Sequence, residues 1–206
     1  MTTKLGIGTP ILHPYLHVKF WLSYNKLQKP TDHMMILTSG TITNMARNRI
    51  VEQAMKHDCT HILFLDADMT FPSDMIEKLL EHDKDIVSGL YFQRDVGHLP
   101  VAMKSINDRE YRRLNKHEMG GLVEVDAVGT GCLLVKREAF EKIGFPWFYY
   151  HTYDDGVWHT EDVIFCRTAK KKGLKIFVDT DVKCGHIISY EITEKDWVDG
   201  NEQGTL

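Results

Sequence analysis

The sequence predicts an α/β fold built on a mostly parallel central sheet with helices on both faces. Three observations predict it. Short apolar runs alternate with amphipathic stretches through the N-terminal half. Residues 62–65, Ile-Leu-Phe-Leu, are apolar without a break, as a strand covered on both faces requires. The resulting order β-α-β-α-β-α-β calls for right-handed crossovers between parallel strands.

The elements follow in order. Residues 5–7 read as a short strand running into a turn at Gly8-Thr-Pro. Tyr15, Val18, Phe20, Leu22 and Leu27 stand among polar residues and predict a first helix over 15–27. Residues 34–38 are an apolar strand. Residues 41–44 supply caps for a helix whose apolar side is Met45, Ala46, Ile50, Val51, Ala54 and Met55. After the strand at 62–65, Pro72 and Ser73 open a helix that turns Met75, Ile76, Leu79 and Leu80 inward. Residues 85–91 form a fourth strand.

The pattern is looser beyond. Residues 101–105, 122–128 and 132–135 read as strands, and 137–143 as a short helix closed by Gly144. Thr160 caps a helix over 161–172 that ends at Gly173. Residues 176–178 and 182–188 complete the sheet, and 190–206 form a polar tail. The expected organisation is one domain over 1–206: a nucleotide-binding half at 1–100, an acceptor-binding half at 101–189, and the tail.

Composition sets outer bounds. A chain of 206 residues, 43% hydrophobic and 26% charged, has the make-up of a folded domain, not a disordered one. Its 25 Lys+Arg against 29 Asp+Glu give a net charge of −4, and the pI is about 6.2. That argues against a surface built wholly for nucleic acid or membrane. No apolar run approaches the roughly 18 residues of a membrane span. No signal peptide is visible. Cys59, Cys132, Cys166 and Cys184 form no CxxC pair and read as reduced, apolar-like residues. Together these predict a cytoplasmic protein.

Four places could carry chemistry. In Phe64-Leu-Asp-Ala-Asp-Met, strand alternation would project Asp66 and Asp68 to one face. They follow a buried strand, at the carboxyl edge where open α/β sheets bind ligands. Two adjacent carboxylates repel unless a cation lies between them, and oxygen ligands suit Mg²⁺ or Mn²⁺ with a diphosphate. The bland alternative is a pair of helix-capping aspartates. Thr160-Glu-Asp-Val places Glu161 and Asp162 in a first helical turn, where the helix dipole alone favours acids. Cys184-Gly-His carries His186, a structural histidine or a third metal ligand. Gly129-Thr-Gly131 is either a tight turn or a place for close backbone approach.

In that order and spacing, these pieces resemble the GT-A glycosyltransferases, most closely their family-2-like members. The likeness also takes in Ala46-Arg-Asn at the second helix and Phe140-Glu-Lys-Ile-Gly after the glycine segment, and runs over residues 5–187. It implies a GT-A-like three-layer α/β/α sandwich and a nucleotide-diphosphate-sugar donor. It implies that Asp66 holds ribose or metal, that Asp68 and His186 hold Mn²⁺ or Mg²⁺, and that Thr9, Pro10 and Arg47 line the nucleotide pocket. Gly131, Glu161 and Trp147 fall on the substrate side. Asp162 would be the base that deprotonates the acceptor hydroxyl in an inverting displacement.

One departure is plain. After the second strand stands Leu37-Thr-Ser-Gly, without the acid that many such enzymes use to read the base. Two rivals share much of this pattern: a sugar-phosphate nucleotidyltransferase and a non-catalytic nucleotide-sugar or carbohydrate-binding protein. A nucleotidyltransferase would need a Gly-rich basic loop near the N-terminus, which the sequence lacks. The acceptor stays open among saccharide, lipid-linked, protein, small-molecule and modified nucleic-acid hydroxyls. Trp147, Phe148, Tyr149, Tyr150 and Trp158 are either sugar-stacking rings or the core of a loop.

Overall fold

The computed structural model describes residues 2–12, 15–95 and 97–189; the tail expected at 190–206 lies outside the described residues. The first half contains β1 (Leu5–Ile11), α1 (Val18–Lys26), β2 (His33–Ser39), α2 (Thr43–Lys56), β3 (His61–Leu65), β4 (Met69–Thr70), α3 (Met75–Glu81) and β5 (Ile86–Leu90). The second contains β6 (Ala102–Ser105), β7 (Tyr111–Arg113), β8 (Leu122–Val125), β9 (Ala127–Val128), β10 (Cys132–Lys136), α4 (Arg137–Ile143), β11 (His151–Thr152), β12 (Trp158–His159), α5 (Glu161–Lys171), β13 (Ile176–Lys183) and β14 (Gly185–His186).

Seven strands form the main sheet, in the order β2-β1-β3-β10-β5-β13-β8. β1 runs parallel to β2 and β3, and β13 parallel to β5. β10 runs antiparallel between β3 and β5, and β8 antiparallel to β13. The sheet is mostly parallel, as expected, with one consequential difference. β3 and β5, joined through α3, are not neighbours, because β10 from the second half is inserted between them. An apolar run such as Cys-Leu-Leu-Val carries no sign of its direction, so the sequence did not reveal this insertion.

The insertion builds the site. Antiparallel neighbours bring the end of one strand to the start of the other. Leu65 at the end of β3 therefore pairs with Cys132 at the start of β10. The turn after β3 and the glycine loop before β10 meet at one edge of the sheet.

The two faces of the sheet are separately covered. α2, α4 and α5 pack on one face through Ile50, Val51, Ala54, Phe140, Phe165 and Cys166. α1 and α3 cover the other through Phe20, Tyr24, Met75, Ile76 and Leu79. This is the expected three-layer arrangement. The aromatic centre of the first face, Phe64, Phe140, Phe148 and Phe165, is fully buried, with Phe148 and Phe165 stacked at 4.8 Å. Truncating one such ring costs about 3–5 kcal/mol.

Local differences have physical reasons. α2 buries Ala46, Arg47, Ile50, Val51 and Ala54, while Met45 stays exposed. The helix turns a charged residue inward because carboxylates await it there. The expected strand over 182–188 splits, since β13 runs on to Lys183 and β14 pairs instead with β4. The four cysteines are free and buried, as expected. Among the described residues, no helix is long and apolar enough to cross a membrane.

Candidate active site

A cleft of about 430 Å³ opens at the carboxyl edge of β1 and β3. Its walls include Pro10, Tyr15, Arg47, Asp66, Asp68 and Arg94. Asp66 and Asp68 are both there, but not as a same-face strand pair. β3 stops at Leu65, and the Met69 amide donates to Asp66 O at 3.2 Å, closing a tight turn. Strand alternation lapses at that turn, and the two carboxylates meet different cations.

Asp66 faces Arg47. The guanidinium Nη2 lies 3.1 Å from Asp66 Oδ1 and 3.3 Å from Oδ2. Its Nη1 donates to Glu161 Oε1 at the start of α5. The Arg47 and Glu161 side chains are 6% and 7% exposed. Burial works against the charge on Arg47, but Asp66, Glu161 and Asp162 outweigh it and hold the guanidinium above its ordinary pKa. Burial pushes the Glu161 carboxyl up; Arg47 pulls it back in part, and Asp162 adds to the rise. One arginine thus ties β3 in the first half to α5 in the second. Asn48, the next residue, adds a second tie. Its side chain accepts from the Trp147 and Phe148 amides and donates to Phe148 O.

Asp68 faces a more open pair. Its Oδ2 lies 3.0 Å from Arg94 Nη1 and 3.5 Å from His186 Nε2. Burial raises the Asp68 carboxyl, but His186 and Arg94 outweigh it and bring it below its ordinary range. The same carboxylate raises His186. His186 is fixed from behind, with Nδ1 2.8 Å from Phe92 O and its ring edge-on to Tyr91 at 5.8 Å. Gly185 permits the β14–β4 bridge that places it, because a Cβ there would stand 2.4 Å from Thr70 Oγ1.

Asp68 and His186 are therefore brought together, whereas Asp66 is turned away toward Arg47. Among the described residues, no three His, Cys, Asp or Glu side chains converge on one point. One carboxylate oxygen on the cleft wall and the imidazole nitrogen beside it still suit Mn²⁺ or Mg²⁺, provided a diphosphate and water supply the remaining ligands.

Asp162 stands one residue beyond Glu161. Its Oδ1 accepts from Thr160 Oγ1 and from the Val163 amide at 2.8 Å. Its Oδ2 has no hydrogen-bond partner among the described residues, so one carboxylate oxygen is anchored and the other is free to accept a proton.

Several expected site residues do other work. Trp147 is 7% exposed, and its Nε1 donates to Phe140 O at 2.9 Å; it belongs to the core and offers nothing to a substrate. Phe148 is likewise core, while Trp158 is 63% exposed on β12. Glu161 is occupied by Arg47 and buried, so it positions groups and does not touch substrate. Thr9 is fully buried behind the cleft wall formed by Pro10, Ile11 and Leu12. Gly131 is shaped by packing: its amide donates to Tyr91 Oη at 3.1 Å, and a Cβ would meet that ring at 3.0 Å. Its carbonyl accepts from the Asp66 amide at 3.1 Å, so it holds the Asp66 turn. Sequence reasoning missed Tyr91 and Arg94. Both follow the end of β5, and strand-end placement, the signal that found Asp66, was available for them.

Comparison with known proteins fits this geometry. The family Anp1, a GT-A-type mannosyltransferase family, matches residues 41–98, which include α2, β3 and the Asp66–Asp68 turn. No curated protein matches the chain in sequence. Among solved structures, A197 from STIV superposes with a TM-score of 0.64 at 21% identity, over 91% of this chain and 87% of that one. GalNAc-T7 with UDP, GalNAc and Mn²⁺ gives 0.64 at 13% identity, over 92% of this chain and 45% of that one. TarS 1-349 of S. aureus in complex with UDP-GlcNAc gives 0.58 at 12%, over 96% and 62%. The chain spans less than two thirds of the latter two. These likenesses establish the fold as that of the GT-A glycosyltransferases.

Proposed function

We propose that the protein is a glycosyltransferase that moves a sugar from a nucleotide-diphosphate sugar to an acceptor hydroxyl, with a divalent cation at Asp68 and His186. The observation that carries this reading is the pair of differently held aspartates, Asp66 and Asp68, on one cleft at the carboxyl edge of β3. The UDP and UDP-sugar in two proteins of the same fold support a nucleotide-sugar donor, and the Mn²⁺ in one of them supports the cation.

Each residue has a physical task. Asp66, oriented by Arg47 and by the Gly131 carbonyl, presents carboxylate oxygen to the donor's ribose. Pro10, Ile11 and Leu12 wall the side toward the base. A cation bound at Asp68 and His186 would offset negative charge gathering on the departing nucleoside diphosphate. Asp162, anchored through Oδ1, takes the acceptor proton on Oδ2, because a sugar hydroxyl attacks well once its proton has a destination. Such direct attack inverts the anomeric centre. Exposed Trp158, just ahead of Thr160, and exposed Tyr150 are rings available to an acceptor.

The test is a panel of nucleotide-sugars measured for thermal stabilisation with Mn²⁺ and with EDTA, followed by product analysis. Stabilisation that needs Mn²⁺, and free nucleoside diphosphate as product, support the reading. Pyrophosphate made from a sugar 1-phosphate and a nucleoside triphosphate would identify a nucleotidyltransferase instead.

A further inference from the structure

Asp68 and Arg94 form an ion pair that differs from every other contact of the cleft in how little holds it. His186 is pinned by Phe92 O, and the Ile187 amide donates to Asp68 O at 2.7 Å, so the backbone around the carboxylate is fixed. The Arg94 side chain is 54% exposed, and among the described residues its guanidinium has Asp68 as its partner. It occupies Oδ2, the same oxygen that faces His186 Nε2. A carboxylate oxygen so engaged cannot also take a divalent ion without moving the guanidinium, because the two positive charges would then stand within a few ångströms of each other.

We propose that Arg94 is a displaceable counter-ion: it neutralises Asp68 until a divalent cation takes that carboxylate, and then transfers to the diphosphate of the donor. This rests on the donor reading above. Three features support the transfer. Arg94 lines the same cleft as Asp66 and Asp68, so the diphosphate would lie within its reach. A guanidinium fork matches phosphate oxygens as well as carboxylate oxygens. The exchange also keeps the guanidinium paired, since Arg94 leaves one anion for another. Arg47 cannot do this, being buried between two carboxylates.

The proposal predicts opposite signs for two affinities in one variant. Arg94→Ala should bind Mn²⁺ alone more tightly than the wild type, by about two- to fivefold, the range for an exposed ion pair. The same variant, saturated with Mn²⁺, should bind its nucleoside diphosphate at least about tenfold more weakly, as expected for a lost charged hydrogen bond. Free Mn²⁺ counted by electron paramagnetic resonance gives the first number. Calorimetry with UDP and GDP gives the second. Arg94→Lys should fall between, and an unchanged melting temperature shows that both variants fold. Unchanged or weaker Mn²⁺ binding in Arg94→Ala overturns the displacement. Nucleotide affinity equal to wild type overturns the transfer. If the wild type binds neither nucleotide, the donor reading fails, while the Mn²⁺ comparison still decides whether Arg94 competes for Asp68.

Discussion

Two arginine–aspartate contacts sit on the same cleft and teach opposite lessons. Arg47 meets Asp66 and Glu161 within the wall, with side-chain exposures of 6% for the arginine, 28% for the aspartate and 7% for the glutamate. Arg94 meets Asp68 at the mouth, with exposures of 54% and 36%. Residue types and distances are nearly the same. Burial decides the role. A buried guanidinium between carboxylates cannot be exchanged without stranding charge, so it fixes geometry. An exposed one in water contributes little to stability and is free to trade partners.

The largest effect that would break the comparison is the loss of Arg47. Arg47→Ala strands Glu161 in a site it cannot leave, at a cost of about 3–5 kcal/mol. Chemical denaturation should show that loss, while Arg94→Ala should lie within about 1 kcal/mol of the wild type. Equal, small losses in both variants would mean that burial does not separate the two nodes. Arg47→Lys should recover little, because one ammonium cannot serve both acids with fork geometry.

The next effect is on chemistry. Asp162→Asn keeps the shape and the anchored Oδ1 but removes the base. Turnover should fall by at least about 100-fold, with donor affinity unchanged. Near-normal turnover, or product of retained anomeric configuration by NMR, would leave Asp162 as a helix-start acid. The open node is then tested by metal removal. Asp68→Ala should mimic EDTA in weakening nucleoside-diphosphate binding, and His186→Ala should weaken Mn²⁺ binding without large destabilisation. A His186→Ala protein that unfolds but keeps its Mn²⁺ affinity would show that the imidazole is structural.

The contrast between the nodes also marks what the sequence could reveal. The strands and helices of the first half were legible because apolar periodicity reports burial directly, as at residues 62–65. Asp66 was legible because it follows such a strand. The inserted, antiparallel β10 was not, since its side chains read the same in either direction. The role of Arg47 was only half visible: its position in Ala46-Arg-Asn was clear, but its acids lie nineteen and 114 positions away in the chain. Trp147 was misplaced for the same reason, because a ring in a loop reads alike whether it stacks on a sugar or packs edge-on against Phe140. Glu161 was expected to touch substrate, and what the sequence could not supply was the arginine that occupies it.

The smallest effect sharpens the comparison through pH. Glu161 is held above its ordinary carboxyl pKa, chiefly by burial, whereas Asp68 is held below its own. The signs follow from proton counts. Between the ordinary value of 4.5 and its raised folded value, Glu161 is more protonated in the folded chain than in the unfolded one. It therefore makes stability fall as pH rises through that window. Glu161→Gln removes this downward contribution, so its stability should climb more steeply from pH 4.5 upward than that of the wild type, whatever the offset between the two curves. Asp68→Asn, measured in EDTA, should leave the slope just above pH 4.5 unchanged, because the Asp68 carboxyl gives up its proton below its ordinary 3.8. Its slope should depart from the wild type only near the ordinary His186 value of 6.5, because that carboxylate is what raises His186. Urea denaturation at intervals from pH 4.5 to 7 measures both slopes. A Glu161→Gln curve parallel to the wild type would mean that Arg47 fully cancels the burial of Glu161, and that the buried node holds its acid no less firmly ionised than the open one.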